Sequence, residues 1–211
     1  MAFRHAALAL VFSCVAAFSK TVRYDMRDAG LRNVVQAVSD APLEKMIALS
    51  GSPAGWIELD PERLTDGIRG EFEIDVRTFS TGLDPRDEKV RDAWLGSSEH
   101  PTAGFQIAKV LGLSKAKLTD GQPVVARLEG QLRLRGVARN QPVLAKLTYV
   151  KESDVTRQRL PGNLLRVSAT FDLDTGLFNL PIPEPFRNRL SRYIQVAADL
   201  VGTDRPPVTL K

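Results

Sequence analysis

The stretch "ARLEGQLRLRG", residues 126–136, decides the fold. Leu128, Leu132 and Leu134 share one parity, while Arg127, Glu129, Gln131, Arg133 and Arg135 share the other. Side chains alternate across a β-strand, so this spacing gives one apolar and one charged face. The same period recurs in "GEFEIDVRTF", residues 70–79, with Phe72, Ile74 and Val76 against Glu71, Glu73, Asp75 and Arg77. In "LLRVSATFDL", residues 164–173, Leu165, Val167, Ala169, Phe171 and Leu173 oppose Arg166, Ser168, Thr170 and Asp172. "YIQVAADLV", residues 193–201, sets Ile194, Val196, Ala198 and Leu200 against Gln195 and Asp199. Weaker strands are expected over 34–39, 46–49, 55–59, 104–110 and 143–150.

Strands with one dry and one wet face are antiparallel in type, since parallel strands read as apolar on both faces. Asp60-Pro61, Asp66-Gly67, Asp120-Gly121-Gln122-Pro123 and Pro161-Gly162-Asn163 mark turns between them. About eight strands in one domain imply an all-β sandwich or a closed antiparallel barrel. A charged outer face favours a soluble barrel over an outer-membrane one, whose outside is apolar.

One run breaks the alternation. "STGLDPRDEKVRDAWLGSSEHP", residues 80–101, holds Asp84 as an expected N-cap and Pro85 at the first helical position. Val90, Ala93 and Trp94 recur at three and four, and Asp87 and Arg91 are spaced to pair along a helix. A short helix between two strands follows, with Trp94 packing it on the barrel or closing one end.

The ends and the composition narrow the function. "MAFRHAALALVFSCVAAFSK" has a basic start, a short apolar core and small-x-small sites near Ala17 and Ser19. Residues 1–19 therefore read as a secretory signal peptide, leaving 20–211 as one domain in the periplasm or outside the cell. A lipoprotein anchored through Cys14 is the alternative. Cys14 is the sole cysteine, so the exported chain has no disulfide and no thiol nucleophile. His5 leaves with the signal, and a lone His100 cannot furnish a His-rich metal site. The charge of +4 is spread in alternating signs and aromatic residues are few, which argues against nucleic acid.

The polar run carries no evident chemistry. Asp84, Glu88 and Asp92 share a helix face, but Arg86, Lys89 and Arg91 interleave and oppose a cation. Ser97, Ser98 and Glu99 adjoin His100, yet sequence neighbours rarely meet the geometry of a nucleophile, a base and an orienting carboxylate. No catalytic residue, metal ligand or resident cofactor is expected.

Two blocks resemble the YceI-like family of exported, lipocalin-like, polyisoprenoid-binding proteins. Thr81-Gly82, Arg86-Asp87, Arg91, Leu95, His100-Pro101 and Phe105 follow its signature, although His100 stands where the family carries tyrosine. Gly130, Leu132, Leu134, Gly136, Val137 and Arg139 follow its hairpin block, and "LDTGLFNLPIP" with "YIQVAADLVG" is similar to its closing strands. The family's aspartate before Phe-Gly-Ile has no clear counterpart near Phe178.

The resemblance implies a lipocalin-like barrel and a non-enzymatic protein holding a polyisoprenoid or similar amphiphile. The expected lining comprises Phe72, Ile74 and Val76, then Phe105, then Leu128, Leu132 and Leu134, then Val167 and Phe171, and last Ile194 and Val196. Gly130 and Gly136 are expected on the inner face, leaving room. Thr81, Gly82, Arg86, Asp87 and Pro101 are expected to be structural. The alternative is a filled barrel that acts as an envelope accessory protein, docking a protein partner through its surface or the helix.

Overall fold

The computed structural model describes residues 20–28, 30 and 32–205. Residues 1–19, read above as a signal peptide, and with them Cys14, lie outside the described residues. Among the described residues, ten strands form one antiparallel sheet that closes on itself. In chain order they are β1 (Val22–Asp25), β2 (Val34–Asp40), β3 (Lys45–Ser50), β4 (Ala54–Leu59), β5 (Ile68–Asp75) and β6 (Thr102–Leu113). Then come β7 (Pro123–Leu134), β8 (Val137–Val150), β9 (Leu164–Asp174) and β10 (Tyr193–Thr203).

The ten strands make an eight-stranded barrel because two of its staves are broken. β1 and β2 both run antiparallel to β10, with Asp25 opposite Thr203 and Val34 opposite Asp199. They are two halves of one stave. β3 and β4 form the next stave, broken at Gly51-Ser52-Pro53; β3 pairs with β2, and β4 pairs with β1 and β5. Asn33 bridges the first break. Its amide donates to the Met26 carbonyl at 2.6 Å and its oxygen accepts from the Val201 N–H at 2.8 Å. Those bonds replace the ladder contacts that the excursion removes.

The second break leaves β3 held on its outer side by a single bridge, Leu49 to Ser80. Ser50 Oγ and Thr78 Oγ1 bond at 2.6 Å beside it, so this seam is hydroxyl-lined.

The inward residues of the lower barrel form a packed cluster that includes Tyr24, Met26, Leu59, Leu64, Val124 and Leu165. The upper cluster, with Leu132, Leu134, Leu173, Phe178, Leu180 and Ile194, meets Trp94 and Leu95. The helix between strands is α1 (Asp84–Glu88), continued by a π-helical turn (Lys89–Trp94). A second helix, α2 (Asp154–Arg159), was not expected. It has no apolar stripe, and its signal is the Ser153/Thr156 capping box.

Several local expectations are corrected. The strand expected over residues 70–79 ends at Asp75, whose carboxylate caps a 3₁₀ turn by accepting from the Arg77 N–H. Leu83, not Asp84, is the N-cap of α1. Asp87 does not pair with Arg91 by hydrogen bond; it accepts from Ser80 and Thr81, while Arg91 donates to the Arg77 carbonyl at 3.2 Å.

The buried or bonded carboxylates make stability pH-dependent. The Arg32 guanidinium hydrogen-bonded to Asp28 holds that carboxyl down at about 2. Asp87 also stays below the usual range: burial pushes it up, but hydrogen bonds from Ser80 and Thr81 outweigh that. Each folded value lies below the unfolded one, so each contribution is complete above about pH 4 and is lost as pH falls towards the folded value. The expected melting temperature is flat from pH 7 to pH 5 and drops ~5–10 °C by pH 2, followed by circular dichroism. A flat profile through pH 2 would contradict these two contacts.

Candidate functional site

Alternation places the apolar faces of the eight staves inside, and the interior is not solid. A cavity of about 210 Å³ runs along the barrel and communicates with solvent. Its lining is almost wholly apolar: among the described residues that line it, only Ser39 and Glu73 have charged or hydroxyl side chains. The Ser39 hydroxyl is engaged by the Ser191 N–H at 2.8 Å, so it does not face a ligand unpaired.

All eleven expected lining residues border this cavity: Phe72, Ile74 and Val76; Phe105; Leu128, Leu132 and Leu134; Val167 and Phe171; Ile194 and Val196. They divide into two groups. Val76, Leu128, Leu132, Leu134, Val167 and Ile194 are buried. Phe72, Ile74, Phe105, Phe171 and Val196 are only half-buried. Inward-facing apolar side chains with uncovered surface mean unfilled space, because packed interiors have few voids.

Sequence reasoning missed what makes that space. Ala37, Ala48, Ala103, Ala145, Ala169 and Ala198 also line the cavity. Their signal was present, as small residues at inward parity on several strands. The upper end is roofed by Val90 and Trp94 of the π-helical turn, by Leu95 that caps it, and by Leu180. The Trp94 indole N–H donates to the Pro181 carbonyl at 3.0 Å, joining the two segments of this roof.

The glycine expectation needs correction. Gly136 is not on the inner face: it lies exposed in the β7–β8 turn at φ +71°, with the His100 ring where a Cβ would project. Gly130 does face inward, but it leaves no room for a ligand. The ring of Phe105 occupies the space, 2.5 Å from where a Cβ would stand.

The signature residues hold the roof to the wall. Thr81 donates from N–H and hydroxyl to Asp87 Oδ1, at 2.7 and 2.5 Å, and Ser80 Oγ donates to Oδ2 at 2.6 Å. Arg86 reaches the Thr81 hydroxyl at 2.8 Å and Glu44 of the β2–β3 turn at 3.0 Å. Gly82 sits at φ +79°, a left-handed conformation that glycine adopts without strain. The Pro101 carbonyl accepts from the Val76 N–H at 2.8 Å, closing the segment. Ser97 donates to Asp92 at 2.5 Å rather than to His100.

Comparison with known proteins agrees with this architecture. No curated protein sequence matches the chain. The crystal structure of Burkholderia cenocepacia BcnA is 17% identical and covers 83% of this chain and 100% of its own, with a TM-score of 0.61. A polyisoprenoid binding domain from Saccharophagus degradans, implicated in plant cell wall breakdown, is 16% identical over 87% of this chain and 99% of that one, TM-score 0.64. The Campylobacter jejuni YCEI protein is 13% identical over 97% and 92%, TM-score 0.57. At such identities the likeness is one of fold. The YceI-like domain profile itself matches residues 33–202, and the chain belongs to the YceI-like family.

Proposed function

We propose that this is an exported, non-enzymatic carrier whose barrel takes the apolar tail of an amphiphile, an isoprenoid lipid by class. The apolar cavity with uncovered inward side chains is the observation that carries this reading. Apolar surface kept away from its own packing partners gains by receiving a chain, about 0.8 kcal/mol per buried CH₂ and up to ~4 for one isoprene unit. Family membership and the polyisoprenoid-binding description of the Saccharophagus domain support the ligand class. The basic, apolar, small-residue order of residues 1–19 supports export. N-terminal sequencing of the protein from its host is expected to begin at Lys20.

Native mass spectrometry and solvent extraction of the protein purified from its own host are expected to reveal a bound lipid. Val196 is half-buried and lines the cavity, so Val196→Asp places a carboxylate where the tail must lie. Uptake of a prenyl lipid should fall at least roughly 100-fold, because the charge stays hydrated or must be neutralised before the tail enters. A ligand-free native protein that ignores added prenyl lipids would remove the proposal.

A further inference from the structure

We infer that an apolar tail enters the barrel sideways, through the seam between β3 and residues 76–80, and that Ser50, Ser52 and Thr78 are the latch that parts to admit it. This rests on the carrier reading above and adds a route to it. The cavity reaches both lips of that seam: Met46, Ala48 and Pro53 border it on one side, and Val76 and Phe79 on the other. The ends of the barrel are covered. Val90, Trp94, Leu95 and Leu180 lie across the top. Tyr24, Leu59, Leu64 and Leu165 pack the bottom, each 1% exposed or less.

The wall is weakest at this seam. β3 aligns six residues with β2 but a single one, Leu49, with the segment beyond it. Between the Leu49–Ser80 bridge and the Ala54–Glu73 pair, where the β4–β5 ladder begins, residues 50–53 face 74–79. Among the described residues, no backbone hydrogen bond joins those two runs. Side chains close the gap instead. The Thr78 hydroxyl donates to the Asp75 carbonyl at 2.6 Å, and its oxygen accepts from Ser50 at 2.6 Å and from Ser52 at 2.8 Å. Hydroxyls exchange such bonds for water at a net cost of about 1 kcal/mol each, whereas a backbone ladder opens only cooperatively. The break in the first stave offers no such passage, because Asn33 fills it with bonds to Met26 and Val201.

The test is a reversible lock. In the full chain carrying Cys14→Ser, the pair Ser50→Cys and Thr78→Cys supplies the only two thiols. They replace hydroxyls 2.6 Å apart, within reach of a disulfide. The probe is all-trans-retinol, a fluorescent isoprenoid alcohol, followed by stopped flow. Oxidation should slow its uptake and its release alike, by roughly tenfold or more, with affinity held within about threefold, because a lock on the route changes both rates and not the bound state. Dithiothreitol should restore both rates. Equal rates in the oxidised and reduced forms overturn side entry and leave the carrier reading standing; a parent chain that takes up no retinol overturns both. Thr78→Val keeps the side-chain shape and removes the shared acceptor, so it tests the latch without a crosslink. Its uptake and release should both quicken about three- to tenfold, the loss of one or two weak hydrogen bonds across the seam. Unchanged rates in that folded variant also count against the latch.

Discussion

A Gly130→Val barrel is expected to lose at least about 4 kcal/mol, and any fraction that folds should bind poorly. An ideal Cβ at this position falls 2.3 Å from the Gln106 carbonyl oxygen and 2.5 Å from the tip of the Phe105 ring. Ordinary overpacking of a core costs about 1–3 kcal/mol, because side chains turn aside. Here one of the two obstacles is backbone on the adjacent strand and cannot turn. The ring can, but only into the cavity.

Gly130→Ala separates the two effects. It is expected to cost ~3 kcal/mol by urea unfolding and to weaken ligand uptake in the folded fraction. Adding Phe105→Ala removes the ring but not the carbonyl. Full recovery of stability in that pair would show that the strand contact is soft, against this account.

The second large effect is expected at Asp87. It is 2% exposed and accepts from the Ser80 hydroxyl and from both donors of Thr81. Asp87→Ala strands those donors and is expected to cost ~3 kcal/mol. Asp87→Asn keeps an acceptor oxygen and should cost about half as much.

The consequence reaches past the helix. Ser80 carries the one bridge that holds the outer side of β3, so amide exchange at Leu49 and Ser80 should quicken more than in β7 or β9. Asp87→Ala also removes one of the low-titrating carboxyls. Its stability should therefore fall less steeply below pH 4 than that of the parent. Uniform destabilisation, with unchanged local exchange at the seam, would rule out this role.

Much of the barrel was legible because its longest strands carry a strict period of two. β7 reads buried at Leu128, Leu132 and Leu134, and β10 turns Ile194, Val196, Ala198 and Leu200 inward. The break between β3 and β4 showed as separate strands expected over 46–49 and 55–59, but the first break was not legible. β1 is four residues long, too short to show a period, and its link to β2 depends on Asn33 meeting Met26 and Val201. Val76 kept its inward direction although the strand ended before it, because a 3₁₀ turn capped by Asp75 carries it there.

The site followed the same division. Which residues face inward is a matter of parity, and all eleven expected ones border the cavity. Whether they meet in the middle depends on volumes summed across eight staves, which no single strand reports. Gly130 shows the difficulty: a missing side chain suggested space, and Phe105 from the neighbouring strand filled it.

The broken first stave bears on how the barrel forms. Each pairing from β4 through β10 joins neighbours in the chain, but closure joins Asp25 to Thr203 and Val34 to Asp199. Such distant contacts bear a large loop-closure cost and form slowly. Until β10 is available, the sheet is an open trough with its apolar face bare, the state most exposed to aggregation. During synthesis β1 and β10 meet last, so the closed interior exists only once the final strand has seated against the first.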